Sequence, residues 1–382
     1  MSYELVLTGG RVVDPGQEID RTTDVAFEGG KVAAVGDGLA GDARQVRDVA
    51  GAIVLPGMID FHTHVYWGGT SLGIRPDALA RRAGTTTWLD VGSAGPGNFE
   101  GFREHVIGRT ETRILVYLHV SFAGIYGFSD RVSVGESDDM RLLEPNVCAE
   151  VARANPELVR GIKVRIGRHA SGYNGITPLK FAIEAAEQAE LPVMCHIDAP
   201  PPRYEEVLEV LRPGDTLTHC FRPSPNAPIY NDGRIREACF TAREKGILFD
   251  IGHGMGSFSF PVAEAMLAGG FPPDIISSDV HALCIDGPAF DNLETMSKFL
   301  NLGMSIPDIV RAVTKTPADA LKRPDLADLS VGSTGDATVL RVDEGRFRFV
   351  DVQNRAMVGD RKFRLDSVVL GGRLWHDARP AG

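Results

Sequence analysis

Pro56-Gly57-Met58-Ile59-Asp60-Phe61-His62-Thr63-His64 is an apolar, strand-like run that leads straight into His-x-His. Side chains two apart on a strand point the same way. His62 and His64 can therefore present two imidazoles to one metal ion from the end of a strand. A pair of hydrogen-bonded core histidines would read the same way, so the decision rests on whether later strands also end in ligands.

Working outward, strand-like and helix-like segments alternate from residue 56 to residue 328. Strand candidates cover 58–64, 85–91, 112–120, 159–165, 191–197, 215–220, 247–251 and 274–279. Helical patterns such as 179–189, 204–211 and 262–267 sit between them. Repeated strand–helix units over roughly 270 residues predict an α/β fold, a (β/α)8 TIM barrel. A doubly wound open sheet competes, but no Gly-x-Gly-x-x-Gly turn opens a helix where a dinucleotide fold needs one. Residues 1–55 and 329–382 read instead as short strands broken by Gly-Gly and Asp-Pro-Gly turns, the chemistry of antiparallel hairpins. Neither end is long enough for a sandwich alone, so the two termini are expected to form one small β-sandwich domain beside a 56–328 barrel.

Composition narrows the function. The 382 residues are 43% hydrophobic and 24% charged, with a net charge of −11. No basic block is present to neutralise phosphates, which argues against nucleic acid as a partner. No apolar run approaches the ~18 residues that span a membrane, and the first ten residues lack the basic region of a signal peptide. The five cysteines form neither a Cys-x-x-Cys motif nor an even framework. Reduced thiols in a cytoplasmic protein are the expectation. A barrel of this size is also compatible with a homo-oligomer.

In such barrels the chemistry sits at the C-terminal ends of the strands. Read in order, those ends carry His62 and His64, then Lys163 within Gly161-Ile162-Lys163-Val164-Arg165, then His196, His219 and Asp279. Each has an ordinary explanation: a core histidine, a helix-capping aspartate, a snorkelling lysine. All of these would have to hold together at five strand ends.

This set resembles the amidohydrolase superfamily of metal-dependent hydrolases. The resemblance rests on His62-x-His64, Lys163, His196, His219 and Asp279, with 55–60 (Leu-Pro-Gly-Met-Ile-Asp) and Thr314-x-Thr316-Pro317-Ala318 beside them. It covers the whole chain, because many members carry a sandwich built from residues before and after the barrel. The binuclear branch of dihydroorotases, D-aminoacylases and deacetylases is most similar. Residues 161–165, 89–95 (Leu-Asp-Val-Gly-Ser-Ala-Gly) and 251–254 (Ile-Gly-His-Gly) resemble a deacetylase-like subgroup.

The resemblance implies two divalent metal ions, zinc first with manganese and iron as alternatives, bridged by Lys163 as its N6-carboxylated (carbamate) form. A free lysine near ~10.4 is a poor ligand at neutral pH. Reaching the neutral amine near pH 7 corresponds to roughly 4–5 kcal/mol, which neighbouring cations and an apolar strand can supply. One ion would take His62, His64, Lys163 and Asp279, the other Lys163, His196 and His219. A metal-bridging hydroxide would attack an acyl carbon, with Asp279 as general base and then acid. The implied function is a deacetylase acting on the acyl amide or ester of a small N- or O-acetylated carboxylic acid, a small-molecule substrate that is anionic. A cyclic amidase of dihydroorotase or dihydropyrimidinase type is the alternative, nucleobase deamination is weaker, and an inactive scaffold of the same fold is the minor alternative.

Substrate contacts are thinner. Dihydroorotases commonly have arginine two residues after the His-x-His pair; Tyr66 stands there, against dihydroorotate itself. Arg165, two residues beyond Lys163 on the same face, is a replacement candidate for holding a carboxylate. His253 between two glycines and His281 two residues after Asp279 are further candidates, with Tyr66 as a pocket residue. Tyr126 and Tyr173 lie in glycine-containing loops with weaker claims. Cys195 and Cys220 are expected to face the barrel–helix layer as packing.

Overall fold

The computed structural model describes residues 3–379. Seven strands precede the barrel: β1 (Tyr3–Thr8), β2 (Arg11–Asp14), β3 (Ile19–Thr22), β4 (Asp24–Glu28), β5 (Lys31–Gly36), β6 (Ala43–Asp48) and β7 (Ile53–Pro56). The barrel strands are β8 (Met58–Thr63), β9 (Thr85–Val91), β10 (Arg113–His119), β11 (Val159–Ile166), β12 (Val193–Ile197), β13 (Thr216–Thr218) and β14 (Leu248–Asp250). Three more follow, β15 (Ala337–Val350), β16 (Ala356–Leu370) and β17 (Arg373–Asp377).

β8 to β14 form one parallel sheet in sequence order. The segment expected as an eighth strand, 274–279, is not a regular strand. It closes the ring through single bridges, Asp250 to Ile275 and Thr63 to Val280. Asp279 N donates to His62 O at 2.7 Å and His64 N to Val280 O at 3.1 Å. The ladder breaks here because side chains intervene. Ser277 Oγ donates to Asp250 at 2.6 Å and Ser278 Oγ to Asp60 at 2.5 Å. Asp279 itself takes the left-handed region at φ 47°.

Alternation explains what faces in. On β11, Ile162, Val164 and Ile166 join the large core between barrel and helices, which turns Lys163 and Arg165 inward. On β12, Val193, Cys195 and Ile197 do the same and leave Met194 and His196 inside. Ile59, Phe61, Leu89, Val91, Leu115, Tyr117 and Met194 fill the barrel interior, with Ala318 and Leu321 in the same cluster. Packed this way, the interior is a floor beneath the site rather than a channel.

The termini make two sheets, ordered β5-β4-β1-β6 and β17-β16-β15-β7-β2-β3. Between them Leu5, Leu7, Val25, Phe27, Val54, Val339 and Val369 form a separate core, so apolar faces from both ends of the chain cover each other. The pairing is mixed rather than purely antiparallel: β1 runs parallel to β6, and β2 to β7. The long β15–β16 hairpin also reaches the helix Asn292–Asn301, where Phe363 N donates to Ser297 Oγ at 3.0 Å. No helix among the described residues is long and apolar enough to cross a membrane.

Candidate metal and active site

A cavity of about 400 Å³ opens above the barrel floor, lined by His62, His64, Lys163, Arg165, His196, His219, Asp279 and His281 among others. His62 Nε2 and His64 Nε2 lie 3.3 and 3.2 Å from Asp279 Oδ1. Donor atoms of these three residues fall within 4.8 Å of one another. The His196 and His219 rings stand 4.4 Å apart, and His219 is 5.1 Å from His62.

Reaching this arrangement takes three departures from regular strand geometry. In β8 the pairing register with β9 slips between Asp60 and Thr63, which lets Phe61 fill the floor while His62 faces the cavity. His219 lies one residue past the end of β13, at φ 64°. Strict alternation would have sent it outward beside Leu217; the left-handed backbone turns it in. Asp279 comes in the same way. Non-glycine residues in this region are uncommon and concentrate at functional sites.

Burial, followed by the nearby Lys163, holds His62 and His64 well below the ordinary imidazole range; burial also leads at His196 and His219. All four are neutral, the form that donates a lone pair to a metal. Hydrogen bonds assign which nitrogen is free. Thr218 donates its hydroxyl proton to Asp250 at 2.6 Å and so accepts from His62 Nδ1 at 2.8 Å. His219 Nδ1 donates to Gly252 O at 2.7 Å. Nε2 of both therefore carries the lone pair that faces the cavity. His64 Nδ1 is 2.9 Å from Ser93 Oγ. Asp90 accepts from Val65 N at 2.8 Å and Ser93 N at 3.0 Å.

Lys163 is fully buried, and among the described residues its ammonium has one hydrogen-bond-range partner, the Met194 thioether at 3.4 Å. Burial brings its ammonium down to about 8 and raises the Asp279 carboxyl to about 6. His196 Nε2 is buried with no hydrogen-bond partner among the described residues. A cluster of neutral imidazoles, a carboxylate, an unpaired lysine and an orphaned imidazole nitrogen is the donor chemistry of a divalent cation site.

The remaining candidates divide. Arg165 and His281 line the cavity; Arg165 Nη1 is 3.3 Å from Glu136 Oε2, and burial lowers His281 to about 4. Tyr66 is not among the cavity-lining residues: its ring stacks on Phe102 at 4.5 Å and its hydroxyl donates to Asn98 O at 3.2 Å. Neither is His253. It stacks on Phe258 at 4.7 Å and accepts from Lys298 Nζ at 2.8 Å, which ties it into the wall behind the site. Tyr126 and Tyr173 lie exposed outside the cavity lining.

Asp90, Asp250, Thr218 and Ser93, for which the sequence raises no expectation, stand behind the cavity-facing histidines. Asp90 and Asp250 both occupy strand ends, so the rule that found His196 could have found them. Glu136, Asp198 and Arg222 come from loops and carried no such signal.

No protein-family model matches the chain. It is 36% identical over 370 residues to the protein named Deacetylase Atu3266 of Agrobacterium fabrum, covering 96% of this chain and 90% of that one. A protein named deacetylase from Enterococcus faecalis is 30% identical over 379 residues, covering 98% and 100%. Among solved structures, one described as an adenine deaminase superposes with a TM-score of 0.91 at 29% identity, over 98% of this chain and 100% of that one. One described as a dihydroorotase superposes with a TM-score of 0.88 at 35% identity, over 97% of both.

Proposed function

We propose that this chain, a hydrolase that belongs to the amidohydrolase superfamily, is a deacetylase cleaving the acyl amide or ester bond of a small N- or O-acetylated carboxylic acid. Carrying this reading is the whole-length likeness to relatives named deacetylase. The cavity supports it, because its volume suits a small acid and guanidinium groups line it.

In this reading His62, His64, Lys163 and Asp279 hold one divalent ion, and Lys163, His196 and His219 the second, with zinc matching the imidazole-rich donors. Bound there, the ions supply Lewis acidity that sharpens a water nucleophile and polarises the acyl oxygen. Lys163 enters as its carbamate, formed when the neutral amine adds to the carbon of CO₂ and releases a proton. Asp279 takes the proton of the attacking water and delivers it to the departing amine or alkoxide. Thr218 with Asp250, and the Gly252 carbonyl, fix the rings of His62 and His219 from behind. His281 is proposed to touch the substrate, and Arg165 to line the cavity beside it with its charge taken by Glu136.

Ring opening of a cyclic amide is the second reading, favoured by the dihydroorotase structure at 35% identity. The absence of arginine at position 66 speaks against dihydroorotate itself. A turnover screen of acetylated amino and hydroxy acids, both enantiomers, beside cyclic amides and imides separates the two. Deacetylation of the acids is expected; turnover confined to ring opening would overturn the deacetylase reading.

A further inference from the structure

Among the described residues three arginines are buried: Arg47, Arg165 and Arg222. Arg47 pairs with Asp366 and Asp377, and Arg165 with Glu136. Arg222 is 8% exposed, lines the cavity, and has no carboxylate oxygen within 4.0 Å. Its Nη1 donates to the backbone carbonyls of Asp198, at 3.2 Å, and Pro225. Its Nε is buried without any partner, and Nη2 makes no hydrogen bond among the described residues. Asp198 stands on the same wall, yet its carboxylate is turned to His169 at 3.3 Å and His196 at 3.7 Å.

A buried charge without a counter-ion is costly, and removing one partner of a buried pair is costlier than never burying it. Arg47 and Arg165 obey that rule with partners from the chain. Arg222 lacks one and borders the space a substrate would fill. Its backbone bonds leave the other edge of the guanidinium free, and a planar fork suits a carboxylate.

We propose that Arg222 seats the carboxylate of the substrate, while Arg165, already neutralised by Glu136, does not. The proposal deepens the deacetylase reading and rests on it for the identity of the ligand. Arg222 belongs to the loop after β13, three residues past His219. An acid held there is presented to the His62, His64 and Asp279 cluster by the same turn that brings His219 in.

The test uses metal-loaded protein and a matched pair, the best-hydrolysed acetylated acid and its primary carboxamide. In Arg222→Gln, kcat/KM for the acid should fall roughly 10- to 100-fold, the loss of one charge-assisted pair. The fall should lie mainly in KM, with the carboxamide little changed. Arg222→Lys should keep part of the preference for the acid, and Arg165→Gln should keep the wild-type ratio. An unchanged ratio in Arg222→Gln, or its collapse in Arg165→Gln instead, would overturn the assignment. If the Gln variant does not fold, Arg222→Lys decides: equal preference in wild type and Lys variant, at an unaltered melting temperature, refutes the proposal. Should wild type hydrolyse no acetylated acid, the deacetylase reading falls separately. Titration with benzoate and benzamide then judges the site: acid preference lost with Arg222 upholds it, and preference independent of Arg222 sinks it.

Discussion

Replacing Gly252 with alanine tests the site with a single methyl group. Gly252 has φ +47°, and a Cβ there would lie 2.9 Å from both His219 Nδ1 and His62 Nδ1, with the Thr218 hydroxyl closer still. The left-handed backbone costs a residue with a β-carbon about 1–2 kcal/mol, and a methyl forced into packed space typically ~1–3 kcal/mol. Together they make about 2–5 kcal/mol, a large share of the ~5–15 kcal/mol that holds a domain together. Relieving the clash means moving Thr218 together with the two imidazoles that face the proposed metals from one side. Disturbing the groups that orient metal-bound histidines commonly costs 10–100-fold in affinity. Gly252→Ala should therefore melt lower and release metal at lower chelator concentration, read by elemental analysis after graded dialysis. Gly256→Ala is the control: it lines the same cavity, and a Cβ there meets nothing within 4 Å. Its stability should stay within about 0.5 kcal/mol of wild type. A Gly252→Ala protein with wild-type melting and metal retention would refute the argument that this backbone carbonyl and its turn position the histidines.

Other perturbations reach different parts of the molecule. Asp366 has a fully buried side chain between Arg47 Nη2 at 3.2 Å and Arg341 Nε at 2.8 Å. Asp366→Asn removes the carboxylate that Arg341 pairs with and one of the two that face Arg47, which keeps Asp377; it should cost about 1–3 kcal/mol, seen as a lower urea midpoint. Burial holds Lys298 down to about 8, below its ordinary 10.5. The folded chain thus binds fewer protons than the unfolded one between those values, and the contribution of Lys298 to stability rises with pH across that window and is lost as pH falls through 8. The stability difference between wild type and Lys298→Met should climb from pH 8 to 10, at most roughly 1.4 kcal/mol per unit; a flat difference would contradict it. Chelation should abolish turnover and added zinc or manganese restore it. Lys163→Ala should lose both metal and rate, and full metal content with full rate in that variant would end the bridging-carbamate assignment.

Much was legible before any coordinates because it depends on short-range periodicity. On β11 and β12 the apolar residues of one face reach the helices, so Lys163, Arg165 and His196 had to point inward. The alternation of strand and helix signals was enough to predict a barrel, and the turn-rich ends were enough to predict sheets built from both termini. Where side chains of distant residues intervene, the same reasoning lost its grip. Ser277 and Ser278 give their hydroxyls to Asp250 and Asp60, so the last barrel segment is a string of bridges where a strand was expected. Tyr66 and His253 had plausible positions in the chain, but Phe102 and Lys298 offered them better company outside the cavity.

By itself, then, the order of residues determined the barrel and which faces of β11 and β12 look inward, since both follow from bonds and steric rules within a few residues. Only the tertiary structure decided that His219 and Asp279 enter the site through left-handed backbone, and that Arg222 borders the cavity without a carboxylate. Both depend on long-range hydrogen bonds: Asp279 N to His62 O, His219 Nδ1 to Gly252 O, and Arg222 Nη1 to Asp198 O. Segments far apart in the chain must meet before such bonds exist, and no local pattern records their meeting.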